Sequence, residues 1–243
     1  MIRSGNPALT KETFNNLTTS SNEVMTLDGA VNKTAISMGI LLLAAYYTYI
    51  NAILDYMILG FIGGFIIAIV TIFKKEWSPI TVPIYALLEG LALGGVSVIY
   101  ADAFEPGIIP QAVILTLGIL FALLFAYKSR IIKATENFKL GVFAATAGIA
   151  IVYLVSFLMG VFADKGLPVM DPSNSSMLSI GFSLFVVIIA SLNLVMDFDF
   201  IEEGAANGVP KYMEWYGAFG LLVTLIWLYL EIIRLLAKLS SRR

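Results

Sequence analysis

The chain has 243 residues, 59% of them hydrophobic and 13% charged, with a mean hydropathy of +0.88; a soluble domain of that length could not hide so much apolar surface. Its 15 basic and 17 acidic residues give a formal charge of −2, which points to no polyanionic partner such as nucleic acid. It has neither cysteine nor histidine, which excludes disulfides, thiolate or H-E-x-x-H metal sites and Ser-His nucleophiles, so ion or proton chemistry falls to carboxylates, hydroxyls and backbone carbonyls.

Residues 1–28 are polar and carry no apolar run of signal-peptide length, so 1–30 is expected to be a polar arm ahead of a membrane domain at 31–243. A hydrocarbon core of about 30 Å requires roughly 20 apolar residues per helix. Seven runs meet that length: 31–50, 56–73, 80–101, 108–127, 140–163, 177–201 and 215–236. The break between the first two, at Asn51 and Asp55, is short enough to make them antiparallel neighbours. Gly60 and Gly64 in the second run, and Gly90 and Gly94 in the third, have the G-x-x-x-G spacing that lets helix backbones approach closely in lipid. Pro83 is expected in the first turn of the third span.

Lys74 and Lys75 follow the second span, and Lys128, Arg130, Lys133 and Lys139 follow the fourth; the positive-inside rule places these loops and the N-terminus in the cytoplasm, in a cell inner (plasma) membrane. Against that, Arg234, Lys238, Arg242 and Arg243 would then lie outside, a conflict that a re-entrant segment or a miscounted span would remove.

Acidic residues inside the spans are the sharpest functional signal, because a carboxylate at the bilayer centre costs roughly 2.5 to 3.5 kcal/mol even on the lenient insertion scale. Glu89 is expected roughly 13 Å from the basic-loop end of the third span, and Asp197 roughly 9 Å from the same-side end of the sixth, so the two could share a layer. Asp199, two residues on, cannot face inward with Asp197, and with Glu202 and Glu203 fits a solvated helix end. Glu231 stands three residues before Arg234, the spacing of an interfacial ion pair. No nucleophile and base stand at a recognisable spacing, so no catalytic residue is expected and an enzyme is the weakest class. A retinal pump needs a Schiff-base lysine within a span, and none occurs between 215 and 236.

The stretch LVMDFDFIEEG and PKYMEWYGAFGLLVTLIWLYLEIIRLL near the C-terminus resembles the end of the transmembrane Bax inhibitor motif family. NPALT and VMTLDGAVNKTAISMGILLL resemble a bacterial branch of it, and YALLEGLALGGVSVIY fits its third helix. The resemblance implies an all-α integral membrane protein, a seven-transmembrane-helix bundle with the last helix central. It also implies a pH-sensitive calcium leak closed through two carboxylates. Asp197 matches the aspartate of the family's sixth helix, while the seventh-helix aspartate falls on Thr224, which can hydrogen-bond a carboxyl but cannot titrate. Glu89 becomes the candidate for the missing acid, so the ion pathway and pH gate are Asp197, Glu89 and Thr224. Asp197 and Glu89 would hold calcium transiently, with at least one of them neutral in the closed state. Asp199 and Glu231 are secondary candidates.

No tightly bound cofactor is expected; calcium and protons would be the transported species, and the lipid bilayer the surrounding partner. The alternative is a non-transporting regulator of membrane proteolysis or the stress response, whose partner would be a membrane protease or another membrane protein.

Overall fold

The computed structural model describes residues 23–105 and 107–242. Seven α-helices are present among them: α1 Leu27–Ile50, α2 Asp55–Phe73, α3 Ser78–Ala103, α4 Ile108–Lys128, α5 Glu136–Ala163, α6 Met177–Ala206 and α7 Met213–Ser240. All seven are long and apolar enough to cross a membrane, so the fold is the expected all-α seven-span class. Most of the expected arm, including Arg3, Lys11 and NPALT, lies outside the described residues, as does Arg243.

Several helices begin or end beyond their apolar runs, and polar caps explain why. Thr26 accepts a hydrogen bond from the amide of Gly29 and starts α1 at Leu27, with Asp28 in the first turn where the helix dipole favours an acid. Residues 27–30 are therefore helix rather than arm. Thr135 caps α5 in the same way through the amide of Phe138, so α5 starts at Glu136. The start of α3 at Ser78 moves Pro83 out of the first turn and into the second. At the far end, α6 continues to Ala206 and α7 to Ser240.

The share of each apolar window that is buried separates the helices. It is 67% for α7, 61% for α3 and 50% for α6, against 17 to 28% for the other four. The last helix is thus the most enclosed of the seven. Apolar side chains such as Phe73, Phe125 and Phe162 stay exposed on the outer helices, where they contact lipid.

The chain divides into two compact units: 1–99 with 197–226, and 100–196 with 227–243. In the first, α3 is flanked by α1 and α2 through its glycines. A Cβ on Gly90 would stand 2.4 Å from the carbonyl oxygen of Leu41, and one on Gly94 2.5 Å from that of Ala45. On the α2 side, a Cβ on Gly60 would stand 2.5 Å from the Leu88 carbonyl oxygen. Gly60, Gly90 and Gly94 are therefore points of backbone contact, as the spacing predicts, whereas Gly64 faces the side chain of Glu89. In the second unit, Ile149, Val186 and Ile189 form an apolar core with Tyr153 and Trp227 against it. There Asn193 of α6 donates to Thr146 Oγ1 of α5 at 2.9 Å, a polar tie of the kind that holds helices together where lipid supplies no hydrophobic drive.

Candidate functional site

Within the first unit, two contacts set the levels of the candidate residues. The ring of Tyr85 on α3 packs edge-on against Phe219 of α7, with centroids 5.0 Å apart. These helices run in the same direction, so Glu89, one turn beyond Tyr85, stands within about one residue's rise of Thr224. A Cβ on Gly217 of α7 would stand 2.9 Å from Ile201 Cγ1 of α6. Asp197, one turn back from Ile201 on this antiparallel helix, comes within roughly one turn of the same level. Because α6 runs to Ala206 and α3 starts at Ser78, both acids sit deeper than the apolar runs indicate: about 14 Å from the end of α6 and about 16 Å from the start of α3.

Asp197 is fully buried, Thr224 is buried on the interior side of α7, and Glu89 is 8% exposed. The carboxyl of Glu89 rests on α2 at Gly64, where an added Cβ would stand 2.5 Å from its Oε1. Glu89 and Asp197 thus stand at about the same level, and the missing side chain at Gly64 leaves a recess for the Glu89 carboxyl. The described residues contain no group of three or more acidic side chains placed to hold a metal ion. Asp199, Glu202 and Glu203 are half-buried at the end of α6, and Asp199 does not share the full burial of Asp197, as their two-residue separation requires.

Glu231 belongs to the second unit and forms the expected pair with Arg234 inside the protein: its side chain is 2% exposed and that of Arg234 19%. Arg234 Nη1 donates to both carboxylate oxygens of Glu231, at 2.6 and 2.8 Å, and the Tyr153 hydroxyl of α5 donates to Oε1. The guanidinium lies 5.8 Å from the centre of the Tyr153 ring, so the buried charges have both a partner and a polarisable wall.

A buried lysine does occur in the seventh helix, because α7 extends past 236. Lys238 is fully buried, and its Nζ donates to the carbonyls of Val169 and Ser179 and, at 2.8 Å, to Ser183 Oγ. Three oxygen acceptors match the three donors of an ammonium, an arrangement that ties the α5–α6 connection to α7 and is not that of a Schiff-base amine. Two of the C-terminal cations, Arg234 and Lys238, are thus engaged inside the protein.

A fourth buried acid among the described residues, Glu214, was not legible as a candidate. It opens α7 and is 2% exposed, and its Oε1 accepts from the amide of Thr26 at 3.1 Å and the hydroxyl of Thr26 at 3.0 Å. A Cβ on Gly29 would stand 2.0 Å from that oxygen, so the TLDG sequence provides both the donor and the space. Thr26 followed by Asp28 in the first turn signals the helix start, but nothing local signals Glu214 as its partner.

Among curated proteins, none matches the chain. A family model described as Bax inhibitor 1 like matches residues 6–241, and this multi-pass membrane protein therefore belongs to the Bax inhibitor 1 like family.

Proposed function

We propose that the protein is a cation leak channel whose flux, of calcium or of calcium against protons, is governed by carboxyl groups inside the helix bundle. The observation that carries this reading is the fully buried Asp197, set within about a turn of Glu89 and Thr224. An ionisable group kept at that depth is costly in lipid and marks an ion or proton path by default. Hard oxygen ligands suit calcium, and a neutral carboxyl can donate a hydrogen bond that holds helices together, whereas its ionised form attracts a cation. Flux should therefore rise as pH rises and close on protonation.

On this reading the protein is not an enzyme, carries no resident cofactor and resides in the cell inner membrane. The N-terminus is cytoplasmic, supported by the basic α2–α3 and α4–α5 loops and by the internal engagement of Arg234 and Lys238. Calcium flux into proteoliposomes tests the proposal. The parent should conduct, and Asp197→Asn should give only a low flux. Absence of flux in the parent would move the protein to the class of non-transporting regulators of membrane proteolysis or stress.

A further inference from the structure

Residues 23–26 pair with the α6–α7 connection 207–212. Val24 and Pro210 form an isolated antiparallel bridge, in which the Met25 amide donates to the Val209 carbonyl at 2.7 Å and the Lys211 amide to the Glu23 carbonyl at 3.1 Å. Lys211 Nζ meets Glu23 Oε2 at 2.6 Å. The segment is fastened again one residue later, where Thr26 both caps α1 and donates twice to Glu214. From the other side, Ser78 Oγ of α3 donates to the Tyr212 carbonyl at 2.8 Å, so the connection is gripped by the starts of two helices.

Beneath this pairing lies an apolar layer. Met25 is 2% exposed, and Phe200, Ile201, Val209, Met213 and Tyr216 are also buried. A Cβ on Gly217 would meet both Ile201 and, at 3.8 Å, Met25 Cε, so the Met25 side chain reaches the α6–α7 contact one turn below Asp197. Water or an ion approaching Asp197 from this end of the first unit must displace that layer, and Met25 can leave only if the bridge opens.

We infer that residues 23–26 act as a strap that closes the arm-side entrance to Asp197, with Met25 as its plug and Glu214 as its anchor. The inference rests on the pathway reading above and adds the element that gates it. The strap is an autoinhibitory contact: fastened, it keeps the loop end of α6 and α7 together; released, it opens the path.

The bridge can be tested covalently, because the chain has no cysteine of its own. Val24 and Pro210 are a non-hydrogen-bonded antiparallel pair, whose Cα atoms stand about 4.5 Å apart, within the roughly 4.4–6.8 Å range of disulfides. In the full-length Val24→Cys/Pro210→Cys variant in calcium-loaded proteoliposomes, oxidation should form the disulfide and reduce flux to the protein-free background. Reduction of the same sample should restore it, and neither single-cysteine variant should respond to oxidant. Glu214→Gln, with the cysteines absent, should conduct more than the parent at every pH. Failure of the disulfide to form would overturn the pairing. A disulfide that forms while Asp197-dependent flux continues unchanged would overturn the strap and leave the pathway standing. No flux in the parent would remove the pathway and the gate with it.

Discussion

Gly60 and Gly64 lie one turn apart on α2, yet alanine should act differently at each. At Gly60 the new Cβ would stand 2.5 Å from the Leu88 carbonyl oxygen and 2.7 Å from the Ala92 nitrogen, both backbone atoms of α3. Neither can turn aside, so the helices must separate by roughly 1 Å to reach ordinary van der Waals distance, which forfeits a quarter to a half of each contact along the seam. Overpacking of this kind costs about 1–3 kcal/mol, offset by about 1 kcal/mol of helix propensity gained over glycine. At Gly64 the obstacle is the tip of Glu89, at 2.5 Å, and a flexible carboxylate can rotate away at a cost of about 0.5–1.5 kcal/mol. The same propensity gain nearly cancels that. Gly118 and Gly148 meet nothing within 4 Å, so alanine there brings only the propensity gain of about 1 kcal/mol. Reversible unfolding in mixed micelles should therefore rank Gly60→Ala below the parent, Gly64→Ala near it, and Gly118→Ala and Gly148→Ala above it. Equal losses at Gly60 and Gly64, or no loss at Gly60, would refute the packing on which the position of Glu89 depends.

Glu231→Gln should destabilise the protein by about 3 kcal/mol in the same unfolding assay, because it strands the Arg234 guanidinium inside the fold, and Glu231→Gln/Arg234→Gln should recover part of that loss. The Glu23–Lys211 pair yields a pH window. Its hydrogen bond and the lysine charge hold the Glu23 carboxyl below its ordinary 4.5, and the same contact holds Lys211 above its ordinary 10.5. The pair's contribution is thus fully present above the first value, is lost as pH falls through the depressed one, and is lost at the other extreme as pH rises through the elevated one. Cross-linking yield between Val24→Cys and Pro210→Cys should accordingly be flat from pH 6 to 8, once corrected for thiol reactivity with a control pair. A yield that changes in that interval would show that the strap itself responds near neutrality.

The number of spans was legible because each helix must present about 20 apolar residues to lipid, and the glycine pairs were legible because close packing needs small residues at i and i+4. The caps at Thr26 and Thr135 were also readable, but an apolar-run criterion passes over a polar first turn, so α1 and α5 start about four residues earlier than their hydrophobic windows. The Glu231–Arg234 spacing disclosed the ion pair but not its burial, which depends on Tyr153 of a different helix. Lys238 read as a surface charge because lysines near helix ends ordinarily reach the interface; the carbonyls that hold it come from the turn at 168–170 and the start of α6. In the same way, the direction of the Glu89 carboxyl is decided by the absence of a side chain on α2, and the burial of Glu214 by a segment at the opposite end of the chain. Periodicity reports which face is buried and is silent on which partner covers it.

The most direct measurement is the pH profile of calcium flux in proteoliposomes for the parent, Asp197→Asn and Glu89→Gln. The parent should conduct more as pH rises. Asp197→Asn, fixed in the neutral hydrogen-bonding form, should give low flux almost independent of pH, and Glu89→Gln should shift the transition to lower pH if the two acids interact across their shared layer. If both variants keep the parent's flux and the parent's pH profile, these buried acids are structural and the channel account is contradicted.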